Sequence, residues 1–475
     1  MCASSLRIGL FSIGLDAYWS QFPGLKARLE GYFTRVEQRL ARPGVVVVNV
    51  GLVDNADQAQ AAGRVLRRAD VDVIFLHVTT YALSSTVLPV VQRAKVPVIV
   101  LNLAPVGAID YADFNRLEDR AQMTSEWLAH CNACPMPEIA NVFKRAGVQF
   151  HQVTGMLEDP ACWREIDAWV EAARVCAGMN TNRLGLMGHP YCGMLDVQAD
   201  ATLQSITFGT HIEHLEVDEL SAMRRDVIHE RARERMADFR REFEVQPDCS
   251  EGDLFDAACT SLALDRLVND HRLGALAYYY KGTGIAENEM TIASIILGCS
   301  LLTARGVPVA GEYEVKNVQA MKIMDLLGAG GSFTEYYAMD FTDDVVLMGH
   351  DGPGHIAIAS GKTKVRPLRC YHGKVGRGVS VEMTVKHGPV TLLSIIEGEA
   401  GKLALLYAHA ESVPGPILEI GNTNSRYRFA CGAREFVQRW NGHGPAHHCA
   451  IGLGHLADKI EKLGQLLQLK AICVS

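Results

Sequence analysis

His443, His447, His448 and His455 fall within thirteen residues of the stretch NGHGPAHHCAIGLGH, close to the end of the chain. Glycines and small apolar residues surround them, so little bulk is available to bury the rings. Imidazoles so placed serve as metal ligands or proton carriers as readily as hydrogen-bonded core groups. Two glutamates are the natural counterparts: Glu312 in VPVAGEYEVKNVQAMKIM and Glu335 in GAGGSFTEYYAMDF, both flanked by small or apolar residues rather than by charge. A carboxylate in such a setting is costly unless it is paired or metal-bound. His350 ends the apolar run DDVVLMGH, fifteen residues after Glu335. Two glutamates, a strand-end histidine and a C-terminal histidine make a mixed oxygen and nitrogen donor set. That set suits a divalent ion such as Mn²⁺, with positions left for substrate oxygens. Buried ion pairs and a helix cap account for the same residues, and residue type alone leaves both explanations open.

The elements that must position these groups follow from apolar periodicity. LRIGLFSI, VVVVNVGLV, VDVIFLHV and VPVIVLNL alternate with helical patterns over the first hundred residues, which reads as a parallel sheet of βα units. Open sheets of this kind bind ligands at the carboxyl ends of their strands, but neither GxGxxG nor GxxxxGK[ST] occurs there. A second α/β region opens with RLGLMGHPYCGMLDV after Asn182 and includes RLGALAYYYKGTGIAENE, whose loop carries Lys281, Gly284 and Glu287. Beyond FTEYYAMDF the texture changes to short glycine-punctuated strands typical of an antiparallel barrel or sandwich. The expected fold is therefore α/β, with two open parallel-sheet α/β domains (1–178 and 179–328) followed by a β-rich, barrel-like C-terminal domain (329–475). A solvent-facing strand edge explains Arg426 and Arg428 in GNTNSRYRF.

With 475 residues the chain exceeds one ordinary core, and 48% apolar residues is a globular composition. A formal charge of -8, with the charged stretch RRDVIHERARERMADFRREF alternating in sign, argues against a nucleic-acid footprint. The N-terminal MCASSLRIGLFSIG resembles neither a signal peptide nor a membrane span, so a cytoplasmic protein without a membrane partner is expected. Thirteen cysteines without framework spacing fit reduced thiols, and the single CxxC, Cys131 to Cys134, has no second pair beside it.

The segment VAGEYEVKNVQAMKIM resembles the part of bacterial L-arabinose isomerases in which an Ala-Gly-Glu or similar triplet opens a helix. GGSFTEYYAMDF, VVLMGH and GPAHHCAIG are similar to that family's next three landmarks, so the chain resembles a divergent branch of the L-arabinose and L-fucose isomerase group. The resemblance implies Glu312, Glu335, His350 and His448 as ligands of Mn²⁺, or of another divalent ion such as Co²⁺ or Mg²⁺. It also implies aldose–ketose isomerisation through an enediol, with Glu312 and Glu335 as the acid and base. A homo-oligomer, trimer or hexamer, with active sites shared between subunits follows from the same resemblance, as does His130 as a residue offered to a neighbour's sugar. Where the family carries Gln-x-Leu-Tyr this chain reads Gly14 to Trp19, which makes Asp16, Tyr18 and Trp19 candidate determinants of the sugar.

Lys316, one helical turn beyond Glu312, is expected to neutralise that glutamate or to anchor a hydroxyl, and His447 to touch substrate. His443 and His455 are expected to play supporting roles. Two other readings stand beside the isomerase: an epimerase of another polyol or keto-sugar using the same enediol chemistry, and a non-catalytic sugar-binding module.

Overall fold

Residues 5–370, 376–398 and 401–475 are described by a computed structural model. The chain forms two compact units, Met1–Ala177 and Gly178–Ser475.

The first unit is built on β1 (Leu6–Ile13), β2 (Val45–Val53), β3 (Val73–His77), β4 (Val98–Ala104) and β5 (Phe150–Met156). All neighbours pair in parallel in the order β2-β1-β3-β4-β5. The central strands are apolar without interruption because helices cover both faces, and β3 is buried along its whole length. The strand order reverses direction between β1 and β3, which opens a crevice at their carboxyl ends.

In the second unit, β6 (Arg183–Gly188), β7 (His211–Leu215), a short β8 (Glu244–Val245), β9 (Ala275–Tyr279) and β10 (Val309–Ala310) come first. Four of these make a parallel sheet ordered β10-β9-β6-β7. The strands that follow are β11 (Gly330–Asp340), β12 (Val345–His350), β13 (Lys364–Pro367), β14 (Val379–Glu382), β15 (Gly388–Glu397), β16 (Leu403–Val413), β17 (Thr423–Arg428), β18 (His448–Leu453) and β19 (Lys470–Cys473). Six of them, in the order β15-β18-β11-β12-β17-β16, pair antiparallel, and β15 pairs again with β16 to close a barrel. The expected fold class is the one observed: parallel α/β sheets followed by an antiparallel β-barrel. The division of the second unit near residue 328 stays an expectation.

One helix joins these layers. Val315–Leu326 is buried from Val315 to Met324 and packs on β11, β15 and β18 of the barrel as well as on β9. A helix covered on every side has no solvent face to mark it, so its apolar positions show no stripe. It begins three residues after Glu312, with Glu314 as its N-cap.

Two expectations need correction. Arg426 is not on a solvent-facing edge: β17 lies between β12 and β16, and the Arg426 side chain is buried and pairs with Asp340 and Asp343. Arg428, two residues on, is exposed. The thiols are not all reduced either, because Cys131 and Cys134 are joined as a disulfide with Cα atoms 5.7 Å apart. The turn from the helix Arg120–Leu128 into the helix Met136–Ala146 brings them together. Among the described residues no helix is long and apolar enough to cross a membrane.

Candidate active site

Strand register assembles the site. Glu335 on β11 lies directly opposite His448 on β18 and Gly349 on β12, which places His350 one residue further along. Directly opposed residues project to the same face of a sheet, so register pairs Glu335 with His448, while His350, the last residue of β12, joins them through its ring contacts with Phe333 and His448. Phe333, two residues before Glu335, packs against both histidines, its ring centroid 4.3 Å from that of His350 and 4.3 Å from that of His448, and the two imidazoles meet edge to face at 5.2 Å.

Glu312 arrives from a strained turn. Glu312 and Tyr313 have φ of 58° and 63°, the left-handed region that non-glycine residues seldom occupy. The turn is held by Tyr313 N–H donating to the Tyr278 carbonyl (3.0 Å) and Glu314 N–H donating to the Gly311 carbonyl (3.0 Å). Backbone strain of this kind persists only where the surroundings overdetermine it, and it concentrates at functional sites.

Glu312, Glu335, His350 and His447 line one cavity of about 170 Å³, together with Asp351 and a wall that includes Tyr191, Met194, Tyr279 and Pro353. Glu312 Oε2 is 3.4 Å from His448 Nε2 and 3.6 Å from His447 Nε2, and Glu335 Oε2 is 3.9 Å from His447 Nε2. Candidate ligand atoms of Glu312, His447 and His448 all lie within 4.8 Å of one another. Both Glu312 Oε2 and His448 Nε2 are buried without a hydrogen-bond partner. Two ligands each about 2.1 Å from one ion stand roughly 3.0–3.4 Å apart, so the spacing and the donor types fit a divalent cation.

The charges are mutually adjusted. Burial works to raise the Glu312 carboxyl, but His447, His448 and His350 outweigh it and hold it below the ordinary carboxylate value. Burial opposes protonation of His447 too, yet Glu312 and Asp196 prevail and raise it to about 9. His448 is enclosed, and burial lowers it to about 3. It is therefore a neutral imidazole, the form that binds metal.

Two residues that the sequence did not single out support this set. Asp196 Oδ2 accepts from the His447 backbone N–H (3.0 Å) and meets His447 Nδ1 at 2.6 Å. Glu314 Oε2 meets His448 Nδ1 at 3.5 Å, and burial pushes its carboxyl up to about 8. Glu314 was detectable in principle, as a second carboxylate in the apolar run after Gly311. Asp196 sits in a loop with no local signature.

Lys316 departs from both of its expected roles. Its Nζ donates to the carbonyls of Asp196 (2.7 Å) and Gln198 (3.3 Å), tying the loop that carries Asp196 to the buried helix. The loop after β9 contributes Tyr280 to the cavity wall, while Glu287 pairs with Arg225. His443 is exposed, and His455 stacks on His409 at 4.3 Å and faces Glu411.

Asp16, Tyr18, Trp19 and His130 belong to the first unit. Asp16–Tyr18 is a single helical turn just past the carboxyl end of β1, and Trp19 Nε1 donates to Asp54 Oδ2 at 2.8 Å. Asp54 is buried and also faces Lys26 at 3.4 Å. His130 Nε2 lies 3.1 Å from Glu126 Oε1 and 3.3 Å from Arg28 Nη2.

No protein-family model matches the chain. It is 23% identical over 352 residues to L-arabinose isomerase of Acidothermus cellulolyticus, a match that covers 71% of this chain and 69% of that one. Among solved structures, an ABC-type branched-chain amino acid transporter of Rhodopseudomonas palustris aligns over 90% of this chain and 95% of its own, at 12% identity. Its TM-score of 0.14 is too low to support any argument about fold.

Proposed function

We propose that this protein is a divalent-metal-dependent aldose–ketose isomerase acting on a monosaccharide. The convergence of Glu312, Glu335, His350 and His447 on one small cavity, with His448 behind Glu312, carries the reading. The similarity to L-arabinose isomerase of Acidothermus cellulolyticus supports it. At about 170 Å³ the cavity is well below the roughly 300–1,000 Å³ of pockets for drug-sized ligands, which favours a single sugar.

In this reading Glu312, Glu335, His350 and His448 hold the ion, and Mn²⁺ suits their mixed donors. When bound, the ion orients two sugar oxygens and stabilises negative charge developing on the carbonyl oxygen. Glu335, the more exposed of the two glutamates, takes the proton from C2 of the aldose and returns it at C1. Glu312 shuttles the hydroxyl proton between O1 and O2. His447, held by Asp196 and placed beside both carboxylates, donates to a sugar hydroxyl. The tyrosine wall covers the apolar face of the sugar and excludes water; Tyr191 and Tyr279 pack with ring centroids 4.4 Å apart.

The working form in this proposal is a homo-oligomer. The strand-end edge with Asp16, Tyr18, Trp19 and His130 faces a neighbouring subunit's sugar, and sugar choice follows from that loop.

The test is a panel of aldopentoses, aldohexoses and deoxy-sugars incubated with Mn²⁺-loaded protein and scored for ketose. Ketose formation abolished by EDTA and restored by Mn²⁺ or Co²⁺ is expected. Protein that purifies without metal, binds sugar and turns over nothing with or without EDTA is a binding module, and the proposal falls.

A further inference from the structure

The first unit carries a cysteine pair whose two sulfurs sit in different environments. Cys131 is buried, 3% exposed, in a small cluster with Phe22, Leu25, Leu29 and Leu128, against which Tyr18, Trp19 and Tyr81 pack. Cys134 is exposed and immediately precedes the helix Met136–Ala146 with its Pro135 cap. The N–H groups at a helix N-terminus favour a thiolate.

The disulfide is not the only tie on this turn. Thr80 Oγ1, in the loop after β3, donates to the Leu128 carbonyl (2.7 Å), and Asn132 Nδ2, between the two cysteines, donates to Asn102 Oδ1 of β4 (2.8 Å), both as buried hydrogen bonds. A ring closed between residues three apart also restrains the unfolded chain far less than a long one does. Stabilising the fold is therefore not the main consequence of this bond.

From these observations we infer that Cys131–Cys134 is a redox-active dithiol centre that exchanges with small thiols of the glutathione class. A glutathione thiolate attacks the accessible sulfur of Cys134. The S–S bond breaks, and Cys131 leaves with the electron pair and takes up a proton. A second glutathione thiolate then attacks the glutathione sulfur of the mixed disulfide. It releases Cys134 as the thiolate and departs as oxidised glutathione, so two electrons and two thiols balance one protein disulfide. Re-oxidation runs in reverse, with Cys134 as nucleophile. The exchange acts on the cluster beneath Tyr18 and Trp19 and on the residue next to His130.

The experiment equilibrates the full-length protein in buffers of reduced and oxidised glutathione, quenches with acid, alkylates, and maps the peptide containing both cysteines by mass spectrometry. Cys131 and Cys134 should become alkylated together in one two-electron transition as reduced glutathione increases. Cys131→Ser should accumulate a glutathione adduct on Cys134, whereas Cys134→Ser should leave Cys131 without one. If neither variant folds, alkylation rates in the reduced wild type serve instead, and Cys134 should react at least tenfold faster than Cys131. A disulfide that persists in excess reduced glutathione, thiols that stay reduced in excess oxidised glutathione, or equal reactivity of the two sulfurs would overturn the inference.

Discussion

Glu314 Oε2 stands 3.5 Å from Nδ1 of His448, and neither side chain has any exposed surface. A Glu314 carboxyl oxygen that accepts from Nδ1–H leaves Nε2 as the lone-pair donor, which is the nitrogen 3.4 Å from Glu312. Glu314→Gln is expected to weaken Mn²⁺ binding by roughly 10–100-fold, the usual effect of removing such an outer partner. Calorimetric titration of the metal-free protein reads this without reference to turnover. Unchanged affinity would mean that Glu314 does not orient His448.

The two glutamates lining the cavity should separate from their neighbours in kinetics. Glu335→Gln keeps shape and one oxygen donor but cannot carry a proton, so ketose formation should fall by at least about a hundredfold. Because Glu335 is also a proposed ligand, metal content measured on the same preparation separates a lost proton carrier from a lost ion. A variant with near-normal turnover would remove Glu335 from the acid–base role.

His271 provides a pH-dependent contribution to stability remote from the cavity. Its Nδ1 lies 2.5 Å from Glu213 and its Nε2 2.7 Å from Glu219, and the hydrogen bond to Glu213, then that to Glu219, raises its pKa above the ordinary histidine value. Arg183 pairs with the same Glu213. Because the folded pKa exceeds the unfolded one, the stabilisation is complete below about pH 6.5 and is lost as pH rises through the folded value. His271→Gln should therefore unfold at a lower temperature than the wild type at about pH 5.5, with the gap narrowing at about pH 9. A gap that widens with pH would reverse the assignment.

Gly349, one residue before His350, leaves no room for a side chain: a Cβ there would lie 1.7 Å from the Thr423 carbonyl oxygen. Gly349→Ala should cost about 3 kcal/mol, the upper end of ordinary overpacking, by forcing β12 away from β17. Gly31 in the helix Leu25–Leu40 has nothing within 4 Å of its Cβ position, and Gly31→Ala should stabilise by about 0.5–1 kcal/mol. Thermal unfolding of the two variants side by side tests the contrast, and equal midpoints would contradict it.

The order of elements was legible in the residues themselves. Uninterrupted apolar runs such as LRIGLFSI mark strands covered on both faces, and glycine-punctuated alternation after FTEYYAMDF marks the antiparallel strands of the barrel. Glu312, Glu335, His350 and His447 were legible as well, since charged or titratable groups among small and apolar residues need partners or a ligand. Tertiary structure alone decided who those partners are. Arg426 reads as an edge residue because strand alternation cannot tell an edge from the interior of a closed barrel, and only barrel closure buries it beside Asp340 and Asp343. Lys316 lies one turn from Glu312 in sequence but reaches the carbonyls of Asp196 and Gln198, about 120 residues away, because the buried helix turns that face toward the loop. Asp196 and His447 are 251 residues apart and meet at 2.6 Å. Local periodicity reports which face of an element is buried, whereas what lies against that face is set by how the layers stack, and no spacing within either segment encodes it.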